Sequence, residues 1–208
     1  MSVIASPEQV LANIFGYNSF RNNQEAIINQ VLEGGDAMVL MPTGGGKSLC
    51  YQVPALCLPG LTVVVSPLIA LMKDQVDALL VSGVKAAFLN STLSAAEQAA
   101  ISQQVWNNEL KLLYVAPERL VGADKQFLKF LQTVQVSLFA IDEAHCISQW
   151  GHDFRPEYRI LSELKNYFPE TPLIALTATA DALTRDDIIA QLHLEDCTDF
   201  ENRLNRLN

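Results

Sequence analysis

With four cysteines, three histidines and no Cys-x-x-Cys pair, this chain lacks the usual means of holding a structural zinc or a disulfide framework. Cys50, Cys57, Cys146 and Cys197 read as reduced structural thiols. His145 and Cys146 are neighbours, but no second ligand pair stands at zinc-like spacing. Basic charge is also scarce. Fourteen Lys and Arg against 23 Asp and Glu leave a formal net charge of −9, which argues against a nonspecific polyanion binder working through a broad basic surface. Much of the excess is local, since residues 181–201 hold seven acids and Arg185 as their one base. Any contact with a polyanion must then come from a focused site. Long apolar runs are missing as well: Ser66 and Pro67 interrupt the stretch 61–72, well short of the ~18 residues of a membrane span. The N-terminus shows no basic segment followed by an apolar core, so no secretory signal is read and the expected compartment is the cytoplasm. Internal repeats, low-complexity tracts and Gly/Ser linkers are not found.

What is present suits one well-filled domain. Half of the 208 residues are hydrophobic and 18% are charged. Short apolar, β-branched runs recur at 37–41, 61–66, 86–90, 112–116, 137–142 and 172–177. Between them lie segments of helical periodicity at 69–81, 95–106, 127–131, 159–168 and 183–192, with further helices at 24–32 and 49–58. Strands that are continuously apolar and alternate with helices predict an α/β fold, a mostly parallel central sheet with helices on both faces. Functional residues of such sheets gather at the carboxyl ends of strands, and each candidate motif follows one of these runs.

The run 37–41 leads into Met-Pro-Thr-Gly-Gly-Gly-Lys-Ser at 41–48, and helical character resumes at Leu49. Gly44, Gly45 and Gly46 let backbone N–H groups turn inward around a phosphate, and the following helix start adds a favourable dipole. Thr43 completes the loop. Lys47 would reach the β/γ-phosphates and the Ser48 hydroxyl would ligate Mg²⁺. The common pattern opens on glycine where this chain has Met41. The run 137–141 ends in Asp142-Glu143-Ala144-His145. A buried strand that delivers two carboxylates at its tip needs a reason to put charge there, and Mg²⁺ supplies one. Asp142 would hold the ion and Glu143 would orient or deprotonate an attacking water. Taken alone, the pair reads first as a helix start decorated with acids; the phosphate loop about 95 residues upstream makes that the minor reading.

The segments 41–48 and 142–145 resemble motifs I and II of superfamily-two helicases. The stretch Asp-Glu-Ala-His-Cys-Ile-Ser-Gln-Trp-Gly-His-Asp-Phe-Arg-Pro-Glu-Tyr at 142–158 is more specific, and it closely resembles the RecQ DNA helicases. The likeness runs from Phe15 to about Leu194. It implies a RecA-like phosphate-loop fold, a single ATP-binding lobe over 1–208, with N-terminal helices and an adenine-recognition segment in 1–35 and a connector at 200–208. It also implies ATP and Mg²⁺ as cofactors, and a 3′-to-5′ motor that unwinds DNA in recombination and repair, with single-stranded and forked DNA and a second RecA-like lobe as partners. A monomer associated with the bacterial nucleoid completes the picture.

Residue by residue, the resemblance implies that Gln24 reads the adenine edge, with Tyr17 stacking and Arg21 assisting. Without the resemblance, Gln24 reads instead as the polar start of the helix 24–32. Ser66 and Lys73 fall in a segment similar to motif Ia. Asn90, Ser91 and Arg119 lie in two further strand-contacting segments, of the kind that grip phosphates without reading sequence. Thr177 and Thr179 belong to a motif III-like stretch that couples nucleotide state to the nucleic-acid site. His145 joins the catalytic set. In the loop that follows, Trp150, Phe154 and Tyr158 stand four residues apart, one apolar face if the segment were helical, but Gly151 and Pro156 interrupt it. Aromatics on a loop can instead stack on exposed bases. Gln149, His152 and Arg155 lie among them and would sense the nucleotide.

In the family, the connection to the second lobe reads Phe-x-Arg-Pro-Asn, where this chain has Arg206-Leu207-Asn208. Arginines supplied across the cleft by a second lobe contribute ~10³–10⁵ in rate, so the 208 residues alone are expected to bind nucleotide weakly, hydrolyse it slowly and not unwind duplex. Two other functions share the phosphate loop. A small-molecule kinase would need an acceptor pocket and an arginine-rich lid, and no such cluster is found; a nonenzymatic ATP-binding interaction module would need only the loop.

Overall fold

The computed structural model describes residues 5–121 and 125–201. Seven parallel strands form one sheet: β1 (Ala37–Leu40), β2 (Leu61–Val65), β3 (Ala86–Leu89), β4 (Leu112–Val115), β5 (Val136–Ile141), β6 (Leu173–Thr177) and β7 (Thr198–Glu201), in the order β3-β4-β2-β5-β6-β1-β7. Six of these are the apolar runs of the sequence. Every residue of β2, β4 and β6 is buried, because an interior parallel strand is covered on both faces.

Alternate side chains enter two separate cores. Ala37, Val39 and Val64 face one side, where they meet Ile27 and Val31 of α2 (Gln24–Leu32), Tyr51 and Ala55 of α3 (Leu49–Cys57), and Met72, Val76 and Leu79 of α4 (Ile69–Val81). Met38, Val63 and Val65 face the other, against Val105 of α5 (Ala95–Trp106), Leu120 of α6 (Glu118–Val121), Phe127 and Leu128 of α7 (Gln126–Leu131), and Ile188 of α9 (Ala182–Gln191). α1 (Pro7–Phe15) packs over α3 through Val10, Leu11 and Val53. Its start is a capping box: Ser6 accepts from the Gln9 N–H while the Gln9 side chain accepts from the Ser6 N–H. Ser94 and Glu97 build the same device at α5.

Three expectations change. The segment 159–168 is not one α-helix: a 3-10 helix occupies Pro156–Glu163, and a single α turn, α8 (Leu164–Tyr167), follows. Pro156 opens that 3-10 helix, and its apolar residues reach the core only by tightening the turn. The strand β7 was not expected. Its Thr-Asp-Phe-Glu sequence is polar and exposed, and it forms because β1 offers a free edge, helped by an Arg185–Asp199 ion pair at 3.3 Å. The connector expected from residue 200 therefore begins inside β7, and 202–208, including Arg206-Leu207-Asn208, lie outside the described residues. Among the described residues no helix is long and apolar enough to cross a membrane.

Candidate functional site

A parallel sheet brings the carboxyl ends of its strands to one edge. In sheet order that edge carries Asn90 after β3, Arg119 after β4, Ser66 after β2, Asp142 after β5, Thr177 closing β6, and the phosphate loop after β1. Sequence order hides this division. The acidic tip and the phosphate loop are about 95 residues apart in the chain, yet one strand, β6, separates β5 from β1.

The phosphate loop is shaped by what its glycines permit. Gly44 and Gly46 hold φ of 80° and 83°, the left-handed region. A Cβ on Gly45 would stand 2.7 Å from Met41 Cγ and 2.9 Å from the Pro42 carbonyl oxygen. Met41 is buried beneath the loop, which gives the unusual opening residue a packing role. Thr43 and Gly44 face solvent. Ser48 precedes α3 with helical φ and ψ, and its hydroxyl makes no cap hydrogen bond, leaving it free for another ligand.

Gln24 is tied to this loop. Its amide donates to the Gly46 carbonyl at 3.2 Å and its oxygen accepts from the Arg21 N–H at 2.8 Å, with 2% of the residue exposed. The Gln24 amide thus links α2 to the phosphate loop; it does not project into open space. The Arg21 guanidinium lies 5.8 Å above the exposed Tyr17 ring. A cleft of about 300 Å³ opens beside them, lined by Tyr17, Gly46, Ser48, Gln52 and Gln75.

At the tip of β5, Asp142 is mostly buried. Burial first, and Glu143 second, push its carboxyl up to about 6, against the opposing pull of Lys47 and the Glu143 N–H. Glu143 sits at φ 49°, ψ 45°, an uncommon conformation for a residue with a side chain, and turns the chain into the buried 3-10 helix Ala144–Ile147. From there a relay runs outward. His145 Nδ1 stands 3.4 Å from Glu143 Oε2 and 2.8 Å from Thr177 Oγ1. The Thr177 hydroxyl donates to the Thr179 carbonyl at 3.2 Å, so its one proton is used and His145 Nδ1–H is the donor toward it. Burial lowers the His145 pKa, which favours the neutral ring.

The next loop returns over His145. The His152 ring stacks on it at 4.4 Å. Gly151 allows that approach, because a Cβ there would lie 2.5 Å from the His145 carbonyl oxygen. The Ser148 hydroxyl donates to Asp187 on α9 and accepts from the Trp150 N–H, at 2.6 and 3.1 Å. Trp150 is 65% exposed, and Gln149 faces solvent beside it. Phe154 is half-buried under the Arg159 guanidinium, and Arg155 pairs with Asp153. Tyr158 corrects the reading of three aromatics as a stacking set: it is 0% exposed, a core residue whose hydroxyl donates to the Asp142 carbonyl at 3.0 Å. A cleft of about 550 Å³ lies between this loop and the phosphate-loop strand, lined by Pro42, Trp150, Gly151, His152 and Thr179. His145, Cys146 and Asp153 place their ligand atoms within 4.8 Å of one another, a grouping that sequence spacing did not reveal. Arg155 already neutralises Asp153, and burial pushes the Cys146 thiol to about 12, so both oppose a cation there.

On the other half of the edge, Asn90 and Arg119 each bury a donor, Nδ2 and Nε, with no hydrogen-bond partner among the described residues. The Asn90 oxygen is held by Thr92, which fixes the direction of its amide, and Arg119 lies over the Phe127 ring at 5.2 Å. Ser91 is exposed and Ser66 is buried, its oxygen accepting from the Leu68 N–H. Lys73 faces solvent in an i,i+4 pair with Asp77.

Residues 21–188 match the family described as DEAD/DEAH box helicase. The chain belongs to that family. It is 52% identical to the ATP-dependent DNA helicase RecQ of Haemophilus influenzae over 199 residues, 96% of this chain and 32% of the relative. Against the RecQ helicase of Pasteurella multocida the identity is 55%, over 89% of this chain and 29% of the relative. The chain thus spans about a third of the length of these curated relatives. Among solved structures, the fold of this helicase-family chain is shared by the DUF1998 helicase MrfA bound to DNA and AMPPNP. There the TM-score is 0.73 at 16% identity, covering 96% of this chain and 29% of that one. A hypothetical ATP-dependent RNA helicase from Sulfolobus tokodaii gives 0.68 at 22%, covering 94% and 56%.

Proposed function

We propose that this chain is the nucleotide-binding motor lobe of a RecQ-type, ATP-dependent 3′-to-5′ DNA helicase. The observation that carries the proposal is the line of contacts from Glu143 past His145 to Thr177 and Thr179, with the His152 ring stacked on His145, which sets a candidate hydrolytic carboxylate beside the loop that exposes Trp150.

The nucleotide phosphates lie against the N–H groups of the loop 43–48, with Lys47 reaching the β/γ-phosphates, and the base lies in the cleft beside Tyr17 and Arg21. Gln24 acts on that site through its bond to Gly46, holding the loop in register with the base cleft. The residues fit Mg²⁺: Asp142 is a largely buried carboxyl crowded by Glu143, and the Ser48 hydroxyl makes no cap hydrogen bond. When bound, the ion neutralises charge on the β- and γ-phosphate oxygens. Glu143 orients a water and accepts its proton as the water oxygen attacks the γ-phosphorus and the bond to ADP breaks. His145 packs against the Glu143 carboxylate, Nδ1 3.4 Å from Oε2, while its Nδ1–H holds Thr177. Asn90 and Arg119, with their unpartnered donors, grip backbone phosphates of a single strand, assisted by Ser66, Ser91 and Lys73. Trp150 stacks on a base, with Phe154, Gln149, His152 and Arg155 around it. A second RecA-like lobe closes the cleft, and the assembly acts as a monomer.

The test is ATP hydrolysis by the full-length protein with and without single-stranded DNA. We expect DNA to stimulate hydrolysis, and Lys47→Ala to lower it about 10²-fold or more with an unchanged unfolding midpoint. Hydrolysis indifferent to DNA, or stimulated equally by RNA, would refute the proposal.

A further inference from the structure

Behind the phosphate loop lies a buried polar chain that the hydrolytic relay does not use. Tyr51 and Gln52, in the first turn of α3, meet Tyr114 on β4 and Gln75 on α4. The Gln52 amide donates to Gln75 Oε1 at 2.8 Å and to the Tyr114 hydroxyl at 3.0 Å, and the Tyr51 and Tyr114 hydroxyls stand 3.3 Å apart. Tyr51, Gln52 and Tyr114 are all buried, Tyr114 with 1% exposed. Asp142 lies near enough for its charge to raise the pKa of both phenols.

The elements so joined have different tasks in the reading above, on which this inference rests. α3 begins at Ser48, directly after the phosphate loop. α4 follows Ser66 and carries Lys73. β4 leads into Arg119. Both protons of the Gln52 amide are spent, one on each neighbouring element. A slide of α3 against β4 would strand the buried Tyr114 hydroxyl where no water can replace the lost bond, unlike a slide across apolar contacts, while the Gln75 end of the chain borders the cleft. α3 and β4 must therefore move together or exchange between discrete arrangements, with α4 tied to them through Gln75.

We propose that Tyr114 is a positioning residue whose hydroxyl, through Gln52, couples nucleotide binding at the phosphate loop to the affinity of the Ser66–Lys73 and Arg119 segments for single-stranded DNA. Tyr114 itself touches neither ligand: it is enclosed beneath the sheet edge and transmits the position of α3 to the strand that carries Arg119.

Coupling of this kind is a linkage quantity, read as the ratio of DNA dissociation constants with and without a nonhydrolysable ATP analogue. The measurement uses the full-length protein, a fluorescent oligo-dT strand and the analogue, with the thermal midpoint taken in parallel. For Tyr114→Phe, which keeps the ring and removes the oxygen, we expect the coupling ratio to fall toward one by about 3- to 10-fold, the worth of a buried hydrogen bond. Affinity for DNA without the analogue should stay at the wild-type value. A lowered midpoint with an unchanged ratio would make the hydroxyl merely structural and overturn the proposal. If Tyr114→Phe does not fold, Gln52→Met, which removes the amide that bonds the Tyr114 hydroxyl, carries the test with the same criteria, the analogue held at saturation. A wild-type ratio of one would instead sink the motor-lobe reading, and this inference with it, before any variant is compared.

Discussion

Replacing Asp142 by Asn should stabilise the fold while removing activity. The Asp142 carboxyl is buried beside Glu143, and its pKa rises from an ordinary 3.8 to about 6. At 1.36 kcal/mol per pH unit, the folded state at neutral pH carries an unfavourable contribution of up to about 3 kcal/mol from keeping this group charged. Lys47 and the Glu143 N–H already oppose burial and Glu143 in that figure, and partial solvation reduces it, so about 2 kcal/mol is a fair working value. Asparagine has nearly the same shape and no charge. In a domain of this size about 2 kcal/mol corresponds to a midpoint higher by roughly 4–8 °C. The sign of the pH dependence follows from the raised value. Between about pH 4 and 6 the folded chain holds a proton that the unfolded chain has lost, so wild-type stability falls as pH rises through that window. The difference between variant and wild type should therefore be full at pH 7.5 and close to zero near pH 4. Calorimetric or circular-dichroism melts of both proteins across that range are the assay. An Asp142→Asn midpoint at or below wild type at pH 7.5 would refute the electrostatic argument.

Two further outcomes follow from the loop over His145. Trp150→Ala removes an exposed ring, so the midpoint should move by less than about 1–2 °C, while affinity for single-stranded DNA, read by fluorescence anisotropy, should drop by about 5- to 100-fold. Gly151→Ala places a methyl group 2.5 Å from the His145 carbonyl oxygen. It should displace the His152 stack and lower DNA-stimulated ATP hydrolysis in a steady-state phosphate-release assay, with a midpoint loss of a few degrees at about 1–3 kcal/mol.

Much of this arrangement is legible in the sequence. Six of the seven strands announce themselves as apolar runs, because a central strand of a parallel sheet is buried on both faces and cannot alternate with polar residues. β7 gives no such signal: it is an exposed edge whose pairing depends on β1, which lies some 160 residues earlier, so no local pattern could reveal it. Tyr158 misled for a related reason. Its spacing from Trp150 and Phe154 suggested one aromatic set, whereas the 3-10 turn at Pro156 rotates it into the core to serve the Asp142 carbonyl.

Lys47, Ser48, Asp142 and Glu143, to which we propose to assign the chemistry, stand out in the sequence itself, since a glycine-rich turn after a strand and a pair of acids at a strand tip are local features with local causes. What the tertiary structure decided is how they communicate. Gln24 grips the Gly46 carbonyl, Thr177 stands between the acid strand and the phosphate strand, and Gln52 spans α4 and β4. Each of these contacts joins residues between 22 and 62 positions apart. They exist because the sheet order places β6 between β5 and β1 and sets β4 beside β2, an ordering that depends on crossover connections and that no stretch of sequence encodes alone.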